Sequence, residues 1–160
     1  MLLPWIVLIL SMVYGFGFPD SISATYYIIT CIAPFMIILG AAGLLLITYK
    51  GYDKQDAIVC TLAGICALLV CLFPCSNTAE DLVGTFYIDK DISGWIHNIT
   101  AGIFFALLAY NSFFLFTKTS GEMTAEKRKR NLIYKICGIG MIVSFLGLIP
   151  TYIFNLHGGT

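Results

Sequence analysis

IITCIAPFMIILGAAGLLLITY, residues Ile28–Tyr49, contains no Asp, Glu, Lys or Arg. A helix needs about 20 apolar residues to cross the roughly 30 Å hydrocarbon core of a bilayer. This stretch therefore predicts a membrane-spanning helix. Four more stretches have the same character, with Lys135 as their only charged residue: Leu2–Phe18, Ala57–Pro74, Trp95–Phe116 and Ile133–Phe154. The fold that we predict is an all-α, polytopic transmembrane helical bundle with five spans.

The composition places the whole chain, residues 1–160, in a single transmembrane domain. Hydrophobic residues make up 59% of the chain and charged residues 11%, whereas soluble domains average about 25% charged residues. The longest connection, Ser76–Gly94, is too short to form a core of its own. No basic residue precedes Leu2–Phe18 and no small-residue cleavage pattern follows it, so we predict a retained helix rather than a signal peptide. The missing basic flank also suggests a natural start upstream of Met1.

The basic residues predict the orientation of the bundle. Connections rich in Lys and Arg stay in the cytoplasm. Only Lys90 belongs to the connections that follow the first and third stretches. We therefore predict a cytoplasmic N-terminus and an outer C-terminus. The other eight of the nine basic residues lie in or beside the two remaining connections: Lys50, Lys54, Lys118, Lys127, Arg128, Lys129, Arg130 and Lys135.

The segment Thr124–Arg130 has the pattern of a helix start. Thr124 is a good N-cap, and Glu126 in the first turn complements the helix dipole. The basic residues that follow would lie at the level of the lipid headgroups, where anionic lipid attracts each with about 1 kcal/mol. We predict that they bind lipid headgroups; a specific phosphorylated-lipid site or a partner-docking site is the alternative. These residues are Lys127, Arg128, Lys129 and Arg130.

Residues with reactive side chains fall on the predicted outer side. The candidate catalytic residues are His97, Asp81, Ser21 and Ser23, and the candidate metal ligands are His97, Asp81 and His157. Imidazole is the usual proton shuttle and metal ligand. Three interpretations of His97 stay open: a hydrogen bond to a loop carbonyl or to Ser21, a proton-relay or ligand-binding role, and a metal or hydrolytic role. No decisive catalytic motif accompanies it, and no motif predicts a cofactor.

Small residues and prolines predict how the helices pack and end. Glycine and alanine let helix backbones approach closely in a membrane, and Pro74 is expected to end the third helix. The six cysteines are interpreted as packing thiols. The predicted contact residues are Gly40, Ala41, Ala42, Gly43, Gly64, Ala67, Gly138, Gly140 and Gly147.

Several segments resemble the DUF998 family of uncharacterised bacterial multi-pass inner-membrane proteins. They are Ser21–Tyr27, Tyr49–Asp53, Leu72–Pro74, Ile96–His97, Phe114–Lys118 and Arg130–Gly138. The resemblance implies a bacterial inner (cytoplasmic) membrane location and six spans, the last of which would follow residue 160. It implies no activity. A more distant similarity to the CREST membrane hydrolases rests on Ser21 or Ser23, Asp81, His97 and His157, although those enzymes use a paired-histidine motif late in the chain.

The function that we expect from the sequence is binding rather than catalysis. The leading hypothesis is a non-enzymatic bundle that binds a lipid, a small apolar molecule or a partner helix. The first alternative is a metal-dependent hydrolase that acts on lipid at the outer leaflet. A small transporter subunit ranks last, because Pro34 and Pro150 are its only signals. Membrane lipid is the expected partner, with a second copy or another membrane protein as alternatives, and nucleic acid is not expected.

Overall fold

The computed structural model describes residues 3–51, 53–76, 78–115, 117–118 and 124–158, which are mostly helical. Three helices in these ranges are long and apolar enough to cross a membrane: Ile29–Thr48, Lys54–Leu72 and Lys90–Leu115. This agrees with a helical membrane bundle, while the first and fifth spans stay predictions. The helices are α1 Leu3–Val13, α2 Ile29–Thr48, α3 Lys54–Leu72, α4 Lys90–Tyr110 and α5 Ala125–Gly158.

Helix α1 is shorter than the predicted Leu2–Phe18 span. Its 11 residues end at Val13, well below the length of about 20 that crosses a bilayer. Gly15 and Gly17 follow with φ angles of 79° and 77°, a conformation that glycine adopts without strain. The Ser11 hydroxyl donates a hydrogen bond to the Gly17 carbonyl at 2.7 Å. The two glycines therefore fold the chain back where hydropathy alone predicts more helix.

Helices α2 and α3 approach each other at two glycines. A Cβ atom on Gly64 would lie 2.4 Å from the Gly43 carbonyl oxygen, and one on Gly43 would lie 3.2 Å from the Ala67 Cβ. The predicted contact at Gly43, Gly64 and Ala67 is thus confirmed. Gly40 is different, since a Cβ atom there would have no neighbour within 4 Å. Beside this contact lies a core cluster of Ala63, Cys66, Ala67, Phe104 and Leu108.

A second core cluster holds α1 against α2 and α3. It contains Val7, Cys31, Phe35 and Val70. The Cys31 thiol is fully buried and donates to the Val7 carbonyl at 3.4 Å. Cys60, Cys66 and Cys71 are also buried, as the interpretation of thiols as packing residues requires, whereas Cys75 is half-buried and Cys137 is exposed.

The connection between α3 and α4 contains secondary structure that the sequence did not predict. Helix α3 ends at Leu72, two residues before Pro74, as predicted. A short hairpin follows, in which β1 Leu82–Val83 pairs antiparallel with β2 Ile88–Asp89. The Asp89 carboxylate then accepts hydrogen bonds from the first turn of α4. This cap starts α4 at Lys90, five residues before the predicted span at Trp95.

The end of α4 and the start of α5 meet at the end of the bundle opposite to the hairpin. Helix α4 continues into a π-helical segment, Asn111–Leu115. Helix α5 begins at Ala125, and the Thr124 hydroxyl accepts a hydrogen bond from the Lys127 amide at 3.3 Å. The predicted N-cap is therefore confirmed. Gly138 packs against the Phe113 ring, where a Cβ atom would lie 2.7 Å from a ring carbon.

Candidate functional site

His97 lies in the first half of α4 and is only 3% exposed. Its Nδ1 atom is 2.8 Å from the Phe73 carbonyl oxygen, and its Nε2 atom is 2.9 Å from the Ser23 hydroxyl. The ring thus connects three elements: the 3-10 helix Ser23–Tyr27, the end of α3 and the body of α4. The expected hydrogen bond to a loop carbonyl is present, and its hydroxyl partner is Ser23 rather than Ser21.

The two partners determine where the proton of a neutral ring resides. A carbonyl oxygen only accepts hydrogen bonds, so Nδ1 of His97 carries the hydrogen and donates to Phe73. Nε2 then has a lone pair and accepts from the Ser23 hydroxyl. A hydroxyl that donates to a histidine whose other nitrogen is held is the arrangement found in serine nucleophiles. Both ring nitrogens are at the same time occupied by groups of the protein.

The segment after α3 explains why these polar groups are buried. Pro74 interrupts the helix, so the backbone carbonyls around it have no amide partner one turn further on. Side chains replace those partners: His97 donates to Phe73, Ser93 donates to Pro74 at 2.8 Å, and Tyr27 donates to Cys75. The sequence reasoning missed Ser93 and did not predict the contact that Tyr27 makes. The available signal was Pro74 itself, which predicts unsatisfied carbonyls beside it.

Tyr27 lies in the 3-10 helix Ser23–Tyr27, outside the helices that are long enough to cross a membrane. Burial raises its pKa to about 12, with Cys75 and then Tyr26 and Glu80 as smaller causes. The phenol therefore stays a neutral donor to the Cys75 carbonyl over the physiological pH range.

The other predicted catalytic residues are not partners of His97. The Ser21 hydroxyl accepts from the Ala24 amide at 3.0 Å and serves its own turn. The Asp81 side chain is 92% exposed and forms an ion pair with Lys90 at 3.5 Å. His157 is in the last turn of α5, and its side chain lies outside the described part. Among the described residues, no group of three His, Cys, Asp or Glu side chains is placed to hold a metal ion.

A second polar cluster lies at the opposite end of the bundle. The Lys118 ammonium is 2.5 Å from Asp56 Oδ1 and 3.0 Å from Asp53 Oδ2. The Asp56 side chain is only 2% exposed, so its charge is balanced inside the protein. The hydrogen bond to Asp56, followed by that to Asp53, raises the pKa of Lys118. The sequence predicts on which side of the membrane Lys118 lies, but it does not predict the ion pairs of Lys118 with Asp56 and Asp53.

Two buried amides lie near this cluster. Asn111 accepts a weak hydrogen bond from the Cys60 thiol at 3.7 Å, and Asn131 donates to the Thr117 carbonyl at 3.3 Å. Asn111 Nδ2 and Asn131 Oδ1 find no hydrogen-bond partner within the described ranges. These amides link α3, the end of α4 and α5.

The predicted headgroup-binding residues lie on the first two turns of α5. Lys127 is half-buried, and Arg128, Lys129 and Arg130 are exposed. The ion pairs within the described ranges involve Lys90 and Lys118. No described carboxylate therefore forms an ion pair with this basic segment, and its charge faces the surroundings of the bundle.

No family model, no curated protein and no solved structure matches this chain. The resemblance to the DUF998 family and the distant similarity to the CREST hydrolases therefore remain predictions from the sequence.

Proposed function

We propose that the chain is a non-enzymatic integral membrane protein that binds anionic lipid on its cytoplasmic face, in a bacterial inner membrane. One observation carries the proposal. Four consecutive basic residues, Lys127–Arg130, open a long helix and form no ion pair with a described carboxylate. Basic residues beside a membrane-crossing helix are attracted to anionic lipid by about 1 kcal/mol each.

The outer polar groups support binding rather than catalysis. Both nitrogens of His97 are used to hold neighbouring segments together. Asp81 and Ser21, which a hydrolytic site would recruit, serve an ion pair and a turn instead. The hydrogen bonds of His97 therefore have a sufficient structural explanation.

The test is native mass spectrometry of the detergent-solubilised protein with added phosphatidylglycerol or phosphatidylcholine. The wild type should retain more phosphatidylglycerol. Neutralising Lys127–Arg130 to Gln should abolish that preference, since each charge is worth roughly a fivefold change in affinity. Lys50→Gln with Lys54→Gln is the matched control on the same side. Equal retention of the two lipids by the wild type would overturn the proposal.

The Ser23–His97 contact favours one alternative, a serine-type hydrolase acting on lipid esters at the outer leaflet. In that reaction the Ser23 oxygen attacks the ester carbonyl carbon while Nε2 takes the hydroxyl proton. The same proton passes to the departing alcohol, and water then releases the acyl group and restores the serine. Nδ1 keeps its hydrogen bond to Phe73 throughout.

A fluorophosphonate probe distinguishes the two functions. The hydrolase predicts a covalent adduct on Ser23, detected by peptide mass, that disappears in Ser23→Ala and weakens in His97→Ala. Ser21→Ala is the control and should label like the wild type. A wild type that remains unlabelled in lipid vesicles would remove the hydrolase alternative.

A further inference from the structure

An open apolar groove of about 120 Å³ runs between α4 and α5. Ile142 and Leu146, on its α5 wall, are 42% and 55% exposed. Because only apolar side chains line the groove, it favours an apolar occupant such as a hydrocarbon chain. Its lining residues are Phe105, Ala106, Ala109, Met141, Ile142 and Leu146.

The spacing along α5 places two basic residues on the same stripe as the groove. Each helical residue advances by about 100°. Arg128, Lys135, Ile142 and Leu146 are separated by 7, 7 and 4 residues, so they point within about 40° of one another. Arg128 and Lys135 are exposed and form no ion pair with described residues.

The remaining basic residues at the start of α5 do not share this stripe equally. Lys127, which is half-buried, lies about 60–100° away from it on one side. Lys129 and Arg130 are exposed and lie about 100° or more away from it around the helix. Of the five basic residues in this part of α5, Arg128 and Lys135 are therefore the two that share the stripe of Ile142 and Leu146.

The distances along the axis of α5 match the thickness of one lipid leaflet. At about 1.5 Å per residue, Lys135 lies about 10 Å from Ile142 and about 16 Å from Leu146 along the helix axis. One leaflet contributes about 15 Å of the hydrocarbon core. Helical side chains lean toward the N-terminus, so the Lys135 side chain extends toward the cytoplasmic headgroups and Arg128. This also explains why one lysine occurs within an otherwise uncharged stretch.

We infer that the groove holds one acyl chain of an inner-leaflet phospholipid whose anionic headgroup contacts Arg128 and Lys135. The inference rests on the proposed function. It adds one specific lipid-binding site, the surface that holds the acyl chain, and the two basic residues that select the headgroup. Charge complementarity and the matching depth identify the occupant as a lipid rather than a helix of a second copy.

The experiment counts phosphatidylglycerol molecules retained by native mass spectrometry at increasing collision energy. We expect one molecule to persist on the wild type. Arg128→Gln with Lys135→Gln should weaken its retention about 30-fold, as two basic residues predict. Lys129→Gln with Arg130→Gln removes the same number of charges and serves as the comparison: it should lower the overall preference for phosphatidylglycerol, yet weaken retention of this one molecule less than Arg128→Gln with Lys135→Gln does.

A variant that fills the groove tests the acyl-chain binding site separately from the headgroup contacts. Ala106 is exposed in the groove, so Ala106→Phe should displace the lipid while the thermal unfolding temperature stays near that of the wild type. Equal loss in both charge pairs would overturn the specific lipid-binding site and leave the proposed function standing. Preference for anionic lipid in no form of the protein would remove both. A dimer that Ala106→Phe dissociates, without retained lipid, would assign the groove to a second copy.

Discussion

Three backbone carbonyls around Pro74 determine the positions of three distant side chains. Phe73, Pro74 and Cys75 accept from residues of α4 and of the 3-10 helix. A buried backbone carbonyl that lacks a hydrogen bond costs about 1–3 kcal/mol. The side chains that relieve this cost therefore fix how the end of α3, the start of α4 and the 3-10 helix meet.

His97 and Ser23 should contribute unequally to stability. Ser23→Ala removes one hydrogen bond and should lower the free energy of unfolding by about 1 kcal/mol. His97→Ala removes that bond, frees the Phe73 carbonyl and leaves a cavity, so we expect a loss of about 2–4 kcal/mol. Unfolding in mixed micelles of increasing SDS content measures both values, with exposed Asn98→Ala as the control. Equal losses for the two variants would contradict the three-segment role of His97.

Tyr27 should make the protein sensitive to alkali. Its pKa is about 12 in the folded protein and 10.0 when unperturbed, so the unfolded state releases the phenol proton first as pH rises. The contribution of the Tyr27 phenol to the free energy of unfolding is therefore complete below about pH 10 and is lost progressively between about pH 10 and 12. The difference in unfolding temperature between wild type and Tyr27→Phe should shrink over this range. A difference that is constant with pH would contradict the assignment.

At the scale of elements, the α2–α3 contact depends on the absence of a side chain at Gly64. Gly64→Ala would place a methyl group against the Gly43 backbone, and overpacking of this kind costs about 1–3 kcal/mol. Gly40→Ala meets open space and should be neutral or stabilising by up to about 1 kcal/mol, because alanine favours the helix. Unfolding in SDS micelles compares the two, and similar effects would show that the close approach is unimportant.

Local chemistry predicted several element boundaries and missed others. Pro74 and Thr124 act through their own backbone neighbours, so the sequence alone indicated where α3 ends and α5 begins. Gly15 and Gly17 lie in an apolar stretch for which hydropathy predicts one continuous helix, so the end of α1 before these glycines was missed. The hairpin Leu82–Asp89 consists of two-residue strands, which are too short to show an alternating pattern.

At the scale of the whole molecule, the charge distribution predicts a fixed orientation. Eight of the nine basic residues lie on the side of Lys50 and Lys118. Alkaline phosphatase, which is active only outside the cytoplasm, should be active when inserted after Glu80. Green fluorescent protein should fluoresce when inserted after Thr124. The reverse pattern of activities would overturn the orientation.

The sites were predictable only in part, because they depend on contacts across the bundle. Hydropathy identified the helices and histidine chemistry identified His97, but its partner Ser23 lies 74 positions away. Lys118 and Asp56 are likewise 62 positions apart. Such pairings follow from helix packing and rotation, which a single sequence without a matching relative does not specify.

The π-helical segment Asn111–Leu115 has a consequence for insertions and deletions. A π turn accommodates one residue more than an α turn between the same end points. Losing one residue there would therefore restore α geometry without turning the chain beyond it, and Lys118 would still reach Asp56. A deletion of one residue in the regular α turns of α4 has no such compensation, because it rotates the chain beyond it by about 100°. A hydropathy profile would record no difference between two such chains, although only the chain shortened within the π segment would keep the charge pair.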